Sequence, residues 1–458
     1  MPNDPPHPSP PRTGAESSSV PSWKRLFNQL DSRFRRVLGE SSDAAFVTAT
    51  YLRLLGRYPD REGLERSVEK LRGGHLRRAA LFREVRFSQE GTEIRNGVQR
   101  YLQHASAPAS PRSLAISAPD EVWLELTERC NLACVMCGQA LNTCRPPRRD
   151  MSPELWRGLL SLLRGTSTVG LHYAGEALLY PQLFTLLGEL GGGRTSVGFS
   201  SNGHLLSKDT SRSLVRLGLG WISLSIDAAT SGTYLRIRGR RDFEALLSKI
   251  SFLIAERDRR GNHRPHIELN MTLMASNLRE APSFVELAAG LGADRVMFQQ
   301  IVPGGTQCVR AADGSVFDYR AEELVGCEAL GPTMQEAEQR ARQLGLPFFY
   351  EIIYKERTAE GPKLEVCQEV AQTDRGSHMP SCVEPWRRVM IDVAGNVFFC
   401  ARHLNGRVLL GSLREESFEE VWNGRRARLV RDLMFLHDVP PPCMGCFIVS
   451  GRGRREIA

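Results

Sequence analysis

From residue 120 onward the chain alternates between short β-rich runs and stretches whose apolar residues recur at helical spacing. The β-rich runs lie at 122–127, 168–174, 195–201, 221–227, 266–275 and 295–301. The helical stretches lie at 153–164, 183–190, 209–218, 242–258 and 278–292. This repetition predicts an α/β fold with a parallel sheet and right-handed crossovers. Periodicity does not decide whether the sheet closes into a barrel.

The amino-terminal part of the chain has a different pattern. Residues 44–100 carry apolar positions at helical spacing, with a Pro-Asp break, and predict an all-helical domain. The Pro- and Ser-rich residues before it predict a disordered tail. The predicted segments are a tail with a leading helix (1–43), a helical domain (44–103), a linker (104–119), the α/β core (120–305), a connecting segment (306–380) and a carboxy-terminal domain (381–458).

Composition narrows the class of protein. The chain is 41% hydrophobic and 24% charged, which is typical of a globular protein, and no apolar run approaches the ~20 residues of a membrane span. We therefore predict a cytoplasmic protein without a membrane partner. The net charge of +8 comes largely from scattered arginines, which are typical of solvated surface, so we predict no nucleic-acid partner. Eleven cysteines in a reducing compartment indicate metal or redox chemistry rather than disulfides.

Unusual residues follow successive β-rich runs. Three cysteines follow the first run, Ala-Gly-Glu-Ala (174–177) follows the second, Ser-Asn-Gly (201–203) follows the third, and Asp227 ends the fourth. Each alone has a simpler explanation, because Ser-Asn-Gly is common turn chemistry and Asp227 could cap a helix. The carboxyl ends of parallel strands gather at one edge, so their order along the chain favours an active site there.

Cys130, Cys134 and Cys137 follow the pattern C-x3-C-x2-C. Three thiolates can hold three corners of a cubane iron–sulfur cluster and leave one iron free to bind a small molecule. The alternative is a structural zinc site completed by Cys144, or three structural thiols.

A C-x3-C-x2-C motif after the first strand of a β/α repeat resembles the radical S-adenosylmethionine (radical SAM) superfamily. The resemblance covers roughly residues 120–305. It implies a partial (β/α)6 barrel with a 4Fe–4S cluster on Cys130, Cys134 and Cys137, and SAM on the open iron. It also implies reductive cleavage of SAM to a 5′-deoxyadenosyl radical. The helical part, near "YLRLLGRYPDREGLE", resembles a small bacterial domain of unknown function.

The same resemblance assigns SAM contacts residue by residue. Ala-Gly-Glu-Ala departs from the family's Gly-Gly-Glu-Pro at Ala174 and Ala177 but keeps the glycine and the glutamate. Met136 stands where the family often has an aromatic residue against the adenine, and Arg238 is implied to contact the SAM carboxylate. The full implied set is Gly175, Glu176, Ser201, Asn202, Ser225, Asp227, Arg238 and Met136.

A second group of cysteines lies past residue 380, at Cys382, Cys400, Cys443 and Cys446. Gly395-Asn396 between two apolar runs predicts a hairpin that would bring strand-end cysteines together. Four cysteines suit zinc or an iron–sulfur cluster. The arrangement resembles the SPASM/twitch extension of radical SAM enzymes, which implies one fully ligated auxiliary 4Fe–4S cluster. The sequence leaves open whether Cys308, Cys327 or Cys367 binds metal.

A fully ligated second cluster suits electron transfer. We therefore expect a SAM-dependent oxidoreductase that oxidises a sugar- or cyclitol-like small molecule, with a proton acceptor among His172, Glu268 and Gln299. The main alternative is a maturase that crosslinks or epimerises a peptide, and a third is a non-catalytic zinc scaffold. The expected partners are a small-molecule or peptide substrate and a reducing protein such as flavodoxin or ferredoxin.

Overall fold

The computed structural model describes residues 42–54, 61–88, 115, 117–137, 149–261, 263–301, 308–351, 356–358, 361–363, 382–400 and 409–435. The predicted tail, most of the predicted linker, and Cys144, Cys367, Cys443 and Cys446 lie outside these residues. Within them, no helix is long and apolar enough to cross a bilayer.

The described part of the amino-terminal domain is helical, as predicted. It contains α1 (Asp43–Leu54), α2 (Arg61–Arg72) and α3 (Arg78–Phe87). Their apolar faces form a small core of their own, made by Phe46, Val47, Leu64, Leu81 and Val85. Arg78 pairs with Asp43 at 2.9 Å and so ties the third helix to the start of the first.

The α/β core is built on six parallel strands in sequential order. They are β1 (Glu121–Leu124), β2 (Thr168–Gly170), β3 (Ser196–Ser201), β4 (Trp221–Ser225), β5 (His266–Leu273) and β6 (Arg295–Gln300). Five lie within the predicted β-rich runs and β1 begins one residue before its run, and the parallel order confirms the predicted fold class. The second run ends four residues early, because the chain leaves the sheet after Gly170 to form the loop that carries Gly175 and Glu176.

Helices follow the strands as the periodicity predicts, with three exceptions. The helix at 231–238 lies in a stretch assigned only to the strand-four motif, and the helices at 319–322 and 330–344 lie in the predicted connecting segment. The helices after β1 are α4 (Pro153–Gly158), α5 (Leu160–Gly165), α6 (Leu183–Leu190), α7 (Lys208–Arg216), α8 (Ser231–Arg238), α9 (Phe243–Arg259), α10 (Ala281–Leu291), α11 (Tyr319–Glu322) and α12 (Leu330–Leu344). Ser152, Ser207 and Thr230 cap α4, α7 and α8 with their hydroxyls. Two 3₁₀ turns, Ala177–Leu179 and Leu278–Glu280, complete the connections.

The predicted connecting segment contributes to the sheet as well. Two short pairs, β7 (Cys308–Arg310) with β8 (Val316–Asp318) and β10 (Glu356–Thr358) with β11 (Gly361–Lys363), form separate two-stranded sheets. Between them, β9 (Phe348–Glu351) adds to β6 in parallel. The edge strand beside β6 is therefore β9, which the sequence pattern did not predict.

The carboxy-terminal domain joins the opposite edge of the same sheet. β12 (Arg388–Ile391) pairs in parallel with β1, and β13 (Asn396–Phe398) and β14 (Leu409–Ser412) continue it in antiparallel fashion. Gly395, at φ 82°, makes the tight turn between β12 and β13, so the predicted hairpin is confirmed. The helices of this domain are α13 (Glu384–Arg387), α14 (Phe418–Trp422) and α15 (Arg425–Phe435).

Alternation along the strands gives the sheet two different faces. Apolar side chains such as Val122, Leu224 and Leu269 are fully buried in the main core with the helices. The alternate residues on the same strands face inward and are largely polar or aromatic. The ten-stranded sheet runs from β14 to β9 without pairing between these edges in the described residues, so it is open, as a partial barrel is.

Candidate active site and cofactor sites

The loop that carries the first cysteines is fixed from below by the loop after β2. A Cβ at Gly175 would lie 2.1 Å from the Thr127 carbonyl oxygen and 2.7 Å from that of Arg129, so only glycine allows this approach. The Glu176 N–H donates to the Arg129 carbonyl at 2.7 Å. Arg129 pairs with Asp150 at 2.8 Å and also donates to the Leu179 carbonyl at 2.6 Å. The sequence reading missed Arg129, because its partners lie 21 and 50 residues away.

Cys130, Cys134 and Cys137 lie on this loop, directly beyond the carboxyl end of β1. Cys134 is buried and the other two are half-buried. Burial raises the pKa of the Cys134 thiol to about 11 and raises that of Cys130, while the nearby Arg238 cation opposes both shifts. A charge on Cys137 raises both pKa values further. Iron would replace the protons that burial otherwise retains.

Glu176 links the loops after β2 and β3. Its carboxylate accepts hydrogen bonds from the Ser201 hydroxyl at 2.8 Å, from the Asn202 N–H at 2.8 Å and from the Leu178 N–H at 3.2 Å. Burial raises its pKa, and these donors oppose the shift. The structure thus brings together Glu176, Ser201 and Asn202. The Asn202 amide reaches on to Asn131 at 2.8 Å and towards Cys130 Sγ at 3.9 Å.

Asp227 and Arg238 form a buried ion pair beside the cysteines. Asp227 is fully buried and is the one non-glycine residue with positive φ, 63°, among the described residues. Its Oδ1 accepts from the Thr272 N–H at 2.7 Å. Asn277, which the sequence reading missed, is also fully buried and donates to the Asp227 carbonyl at 2.9 Å. Arg238 in turn donates to Cys134 Sγ at 3.5 Å.

One row of the inner face lies just below this pair. Register places Ser225, Asn270, Met297 and Phe349 side by side on β4, β5, β6 and β9. Asn270 is 9% exposed, and its Oδ1 has no hydrogen-bond partner among the described residues. Asn270 was not predicted from the sequence, since an asparagine inside a strand identifies no partner. Met136 is half-buried against a small apolar cluster that includes Ile237 and Met274.

The rows nearer the amino ends of the strands are filled. Trp123, Gly170, Gly198 and Trp221 share one row. A Cβ at Gly170 would lie 2.4 Å from the Trp123 ring, and one at Gly198 would lie 2.2 Å from that of Trp221, so each glycine makes room for a tryptophan. The His172 ring packs edge-on against both tryptophans, at centroid distances of 4.9 and 5.8 Å.

The three candidate proton acceptors are already engaged. His172 Nδ1 accepts from the Ser200 N–H at 3.0 Å, and burial lowers its pKa to about 4. Glu268 accepts from the Ser223 hydroxyl at 2.6 Å and pairs with Arg295 at 2.5 Å. Gln299 donates to the Thr272 hydroxyl at 3.3 Å. Among the described residues, none of the three presents an unpaired base on the inner face of the sheet.

Two of the four carboxy-terminal cysteines are in the described residues. Cys382 is buried in the main core, and Cys400 is half-buried at the end of the β12–β13 hairpin. Arg431, fully buried, donates to the Pro385 carbonyl at 2.9 Å and stacks over Trp422 at 4.4 Å. It fixes α15 against the helix that follows Cys382. Cys308 is exposed on β7 and Cys327 is half-buried.

The donors near the first cysteines fit a 4Fe–4S cluster with SAM. Among the described residues, no group of three or more His, Cys, Asp or Glu side chains is arranged to hold a single metal ion. A cubane binds each thiolate at a different iron, so its three sulfurs need not converge on one point. Arg238 Nε, like Asn270 Oδ1, is buried without a hydrogen-bond partner in the described residues. These two groups lie at the rim, the region at the carboxyl ends of the strands that also holds the three cysteines and Glu176. A polar cofactor or substrate would pair with such unsatisfied groups.

Relatives with known roles match the chain over different lengths. A PqqA peptide cyclase from Streptomyces rochei is 30% identical over 183 residues, 40% of this chain and 48% of that one, so the chain spans about half of its length. A PqqA peptide cyclase from Xanthomonas euvesicatoria pv. vesicatoria is 27% identical over 72% of this chain and 80% of its own. An AdoMet-dependent heme synthase from Methanosarcina barkeri is 26% identical over 69% and 86%.

A solved structure shares the fold. The crystal structure of Streptococcus suis SuiB matches with a TM-score of 0.52 over 90% of this chain and 87% of that one, at 13% identity.

Three family models match successive parts of the chain. A domain of unknown function, DUF4214, matches residues 29–93, the radical SAM superfamily matches 124–256, and the SPASM iron–sulfur cluster-binding domain matches 382–447. The radical SAM domain binds a 4Fe–4S cluster and SAM, and the SPASM domain binds auxiliary iron–sulfur clusters, so the prediction of iron–sulfur over zinc is confirmed. The chain therefore carries a radical SAM domain, a carboxy-terminal SPASM domain and an amino-terminal DUF4214 domain, as the resemblance implied.

Proposed function

We propose that this enzyme modifies a peptide, by forming a crosslink or by epimerisation. The observation that carries the proposal is the match to PqqA peptide cyclases, one of which aligns over 80% of its own length. The sequence predicts oxidation of a sugar or cyclitol as the main function and peptide modification as the alternative. The comparisons support the alternative better, and no relative reported above is named for oxidising a sugar or cyclitol.

The inner face of the sheet supports the same choice. Oxidation of an alcohol to a ketone requires a base that takes the hydroxyl proton. His172 uses its acceptor nitrogen on a backbone N–H, and Glu268 is held by Ser223 and Arg295. Epimerisation removes one hydrogen atom from a peptide carbon and returns one from a hydrogen-atom donor, so it releases no proton, whereas a crosslink that loses two hydrogens releases one of them as a proton. Of the two peptide reactions, epimerisation therefore asks less of the side chains that the structure places there.

In this proposal Cys130, Cys134 and Cys137 hold the first cluster, and Cys382, Cys400, Cys443 and Cys446 hold the auxiliary one. When bound, the cluster and SAM supply a 5′-deoxyadenosyl radical that abstracts hydrogen from the substrate, and the auxiliary cluster supplies a route for an electron. Glu176 orients Ser201 and Asn202 towards SAM. The filled lower rows exclude water and keep the substrate near the carboxyl ends of the strands.

The test uses the anaerobically reconstituted full-length enzyme, SAM and dithionite. The substrates are short peptides encoded beside its gene and, in parallel, an aminocyclitol. We expect one peptide to increase the yield of 5′-deoxyadenosine and to change in mass by two hydrogens for a crosslink, or to change in chirality for an epimerisation. Conversion of the aminocyclitol to a ketone, with no peptide changed, would overturn the proposal.

A further inference from the structure

The Arg238 guanidinium lies in direct contact with a cysteine of the first cluster. Its Nη1 donates to Cys134 Sγ at 3.5 Å, and Arg238 itself is 9% exposed. A cation in so dry a place interacts more strongly with a neighbouring charge than one in water would. Cys130 Sγ has the neutral Asn202 amide 3.9 Å away. The environments of two cluster thiolates therefore differ in charge.

The position of Arg238 is fixed by a costly arrangement. Asp227, its ion-pair partner, has a left-handed backbone, a strained conformation that non-glycine residues rarely adopt. Asn277 stabilises that conformation through two carbonyls, those of Asp227 and Thr272, each at 2.9 Å. The Met274 N–H holds the other side of the Asn277 amide at 2.7 Å. Asn277, Thr272 and Met274 thus support the Asp227 conformation that holds one guanidinium against one sulfur.

Hydrogen bonds to the ligating sulfurs and the net charge nearby set the reduction potential of an iron–sulfur cluster. A positive donor on a thiolate stabilises the reduced, more negative cluster. We infer that Arg238, positioned by Asp227, raises the reduction potential of the cluster bound by Cys130, Cys134 and Cys137. This role is separate from the SAM contact implied by resemblance, because it acts before SAM binds and through a different nitrogen from the unpaired Nε.

The experiment is a potentiometric titration of the full-length holoenzyme without SAM, followed by EPR. The first cluster is recognised as the one whose signal changes when SAM is added afterwards. In Arg238→Gln we expect the ratio of reduced to oxidised cluster at a fixed potential to fall at least tenfold, which corresponds to about 59 mV for one electron. Arg236→Gln is the matched control, since Arg236 lies on the same helix and pairs instead with Glu322 at 3.2 Å. It should leave the midpoint in place.

Two further measurements keep the inference testable if Arg238→Gln fails to bind its cluster. Arg238→Lys keeps the charge and loses the planar donor, so its midpoint should lie between those of wild type and the glutamine variant. In wild type labelled with ¹⁵N-arginine, pulsed EPR of the reduced cluster should show coupling to guanidinium nitrogen. A fully loaded Arg238→Gln with the wild-type midpoint, or no ¹⁵N coupling, would overturn the inference. Neither measurement uses a peptide, so the outcome is independent of the proposed function.

Discussion

The two ends of the inner face of the sheet are built differently. Near the amino ends, Trp123 and Trp221 pack on Gly170 and Gly198, and His172 is held by Ser200. Near the carboxyl ends, Asn270 Oδ1 and Arg238 Nε are buried without partners in the described part of the chain. The inner face therefore has a satisfied, aromatic floor, and β5 together with the helix that ends at Arg238 contributes to an unsatisfied, polar rim. The difference indicates that the floor contributes stability and the rim contributes binding.

The strongest test of the rim removes one cluster ligand. Cys134→Ala should abolish 5′-deoxyadenosine formation under dithionite, because a two-cysteine site cannot hold the cubane that SAM needs. The measurement is product quantification with iron and sulfide analysis. Cys308→Ala is the matched control, since Cys308 is exposed on β7. If Cys134→Ala formed 5′-deoxyadenosine at the wild-type rate, Cys134 would not be a ligand of the first cluster.

The floor should respond in stability rather than in chemistry. A Cβ at Gly198 would lie 2.2 Å from the Trp221 ring and 2.3 Å from its carbonyl oxygen, whereas at Gly170 the near atoms all belong to the Trp123 ring. We expect Gly198→Ala to lower the free energy of unfolding by about 3 kcal/mol, the upper part of the range for overpacking. Gly170→Ala should cost less.

A second substitution distinguishes these two clashes. Trp123→Leu should relieve the cost of Gly170→Ala, because only side-chain atoms are involved, and Trp221→Leu should not relieve that of Gly198→Ala. Denaturant titration of the four variants and their pairs measures the couplings. Gly290→Ala in α10, where an added Cβ meets nothing, is the control and should be neutral or stabilising. Full rescue of Gly198→Ala would place its clash in the side chain alone.

A smaller effect is expected where the rim is organised indirectly. Glu176→Gln keeps the shape of the side chain but loses the charge that Ser201 and Asn202 contact. Since hydrogen bonds to charged groups contribute about 1.5–3 kcal/mol, we expect SAM to bind at least tenfold more weakly. Isothermal titration of the reconstituted enzyme measures it, with Glu189→Gln, an exposed residue paired with Arg164, as control. Unchanged SAM affinity would make Glu176 dispensable.

The sequence predicted the parts of this site that rest on local pattern. The six strands follow from period-two runs, and the positions of Glu176, Asn202 and Asp227 follow from where those runs end. It did not predict α8, whose apolar residues lack a continuous face, or the parallel pairing of β12 with β1, which joins residues 267 positions apart. Asn277 and Arg129 were missed for the same reason, because their roles depend on carbonyls that only the folded chain brings near.

The floor should also differ from the rim in how its contribution to stability responds to acid. His172 Nδ1 accepts from the Ser200 N–H, so a protonated ring would face a donor, and burial lowers its pKa from 6.5 to about 4. Between these values the unfolded chain binds a proton that the folded chain does not, so stability is complete above pH 6.5 and falls as the pH drops towards 4.

His172→Gln should lack this loss while keeping an acceptor for Ser200. Thermal unfolding of wild type and variant from pH 7 to pH 5 should therefore converge as the pH falls, at up to roughly 1.4 kcal/mol per pH unit. His75→Gln, an exposed histidine in the helical domain, is the control and should track wild type. Parallel curves for wild type and His172→Gln would mean that the ring accepts a proton in the folded protein, and the floor would then be open to water.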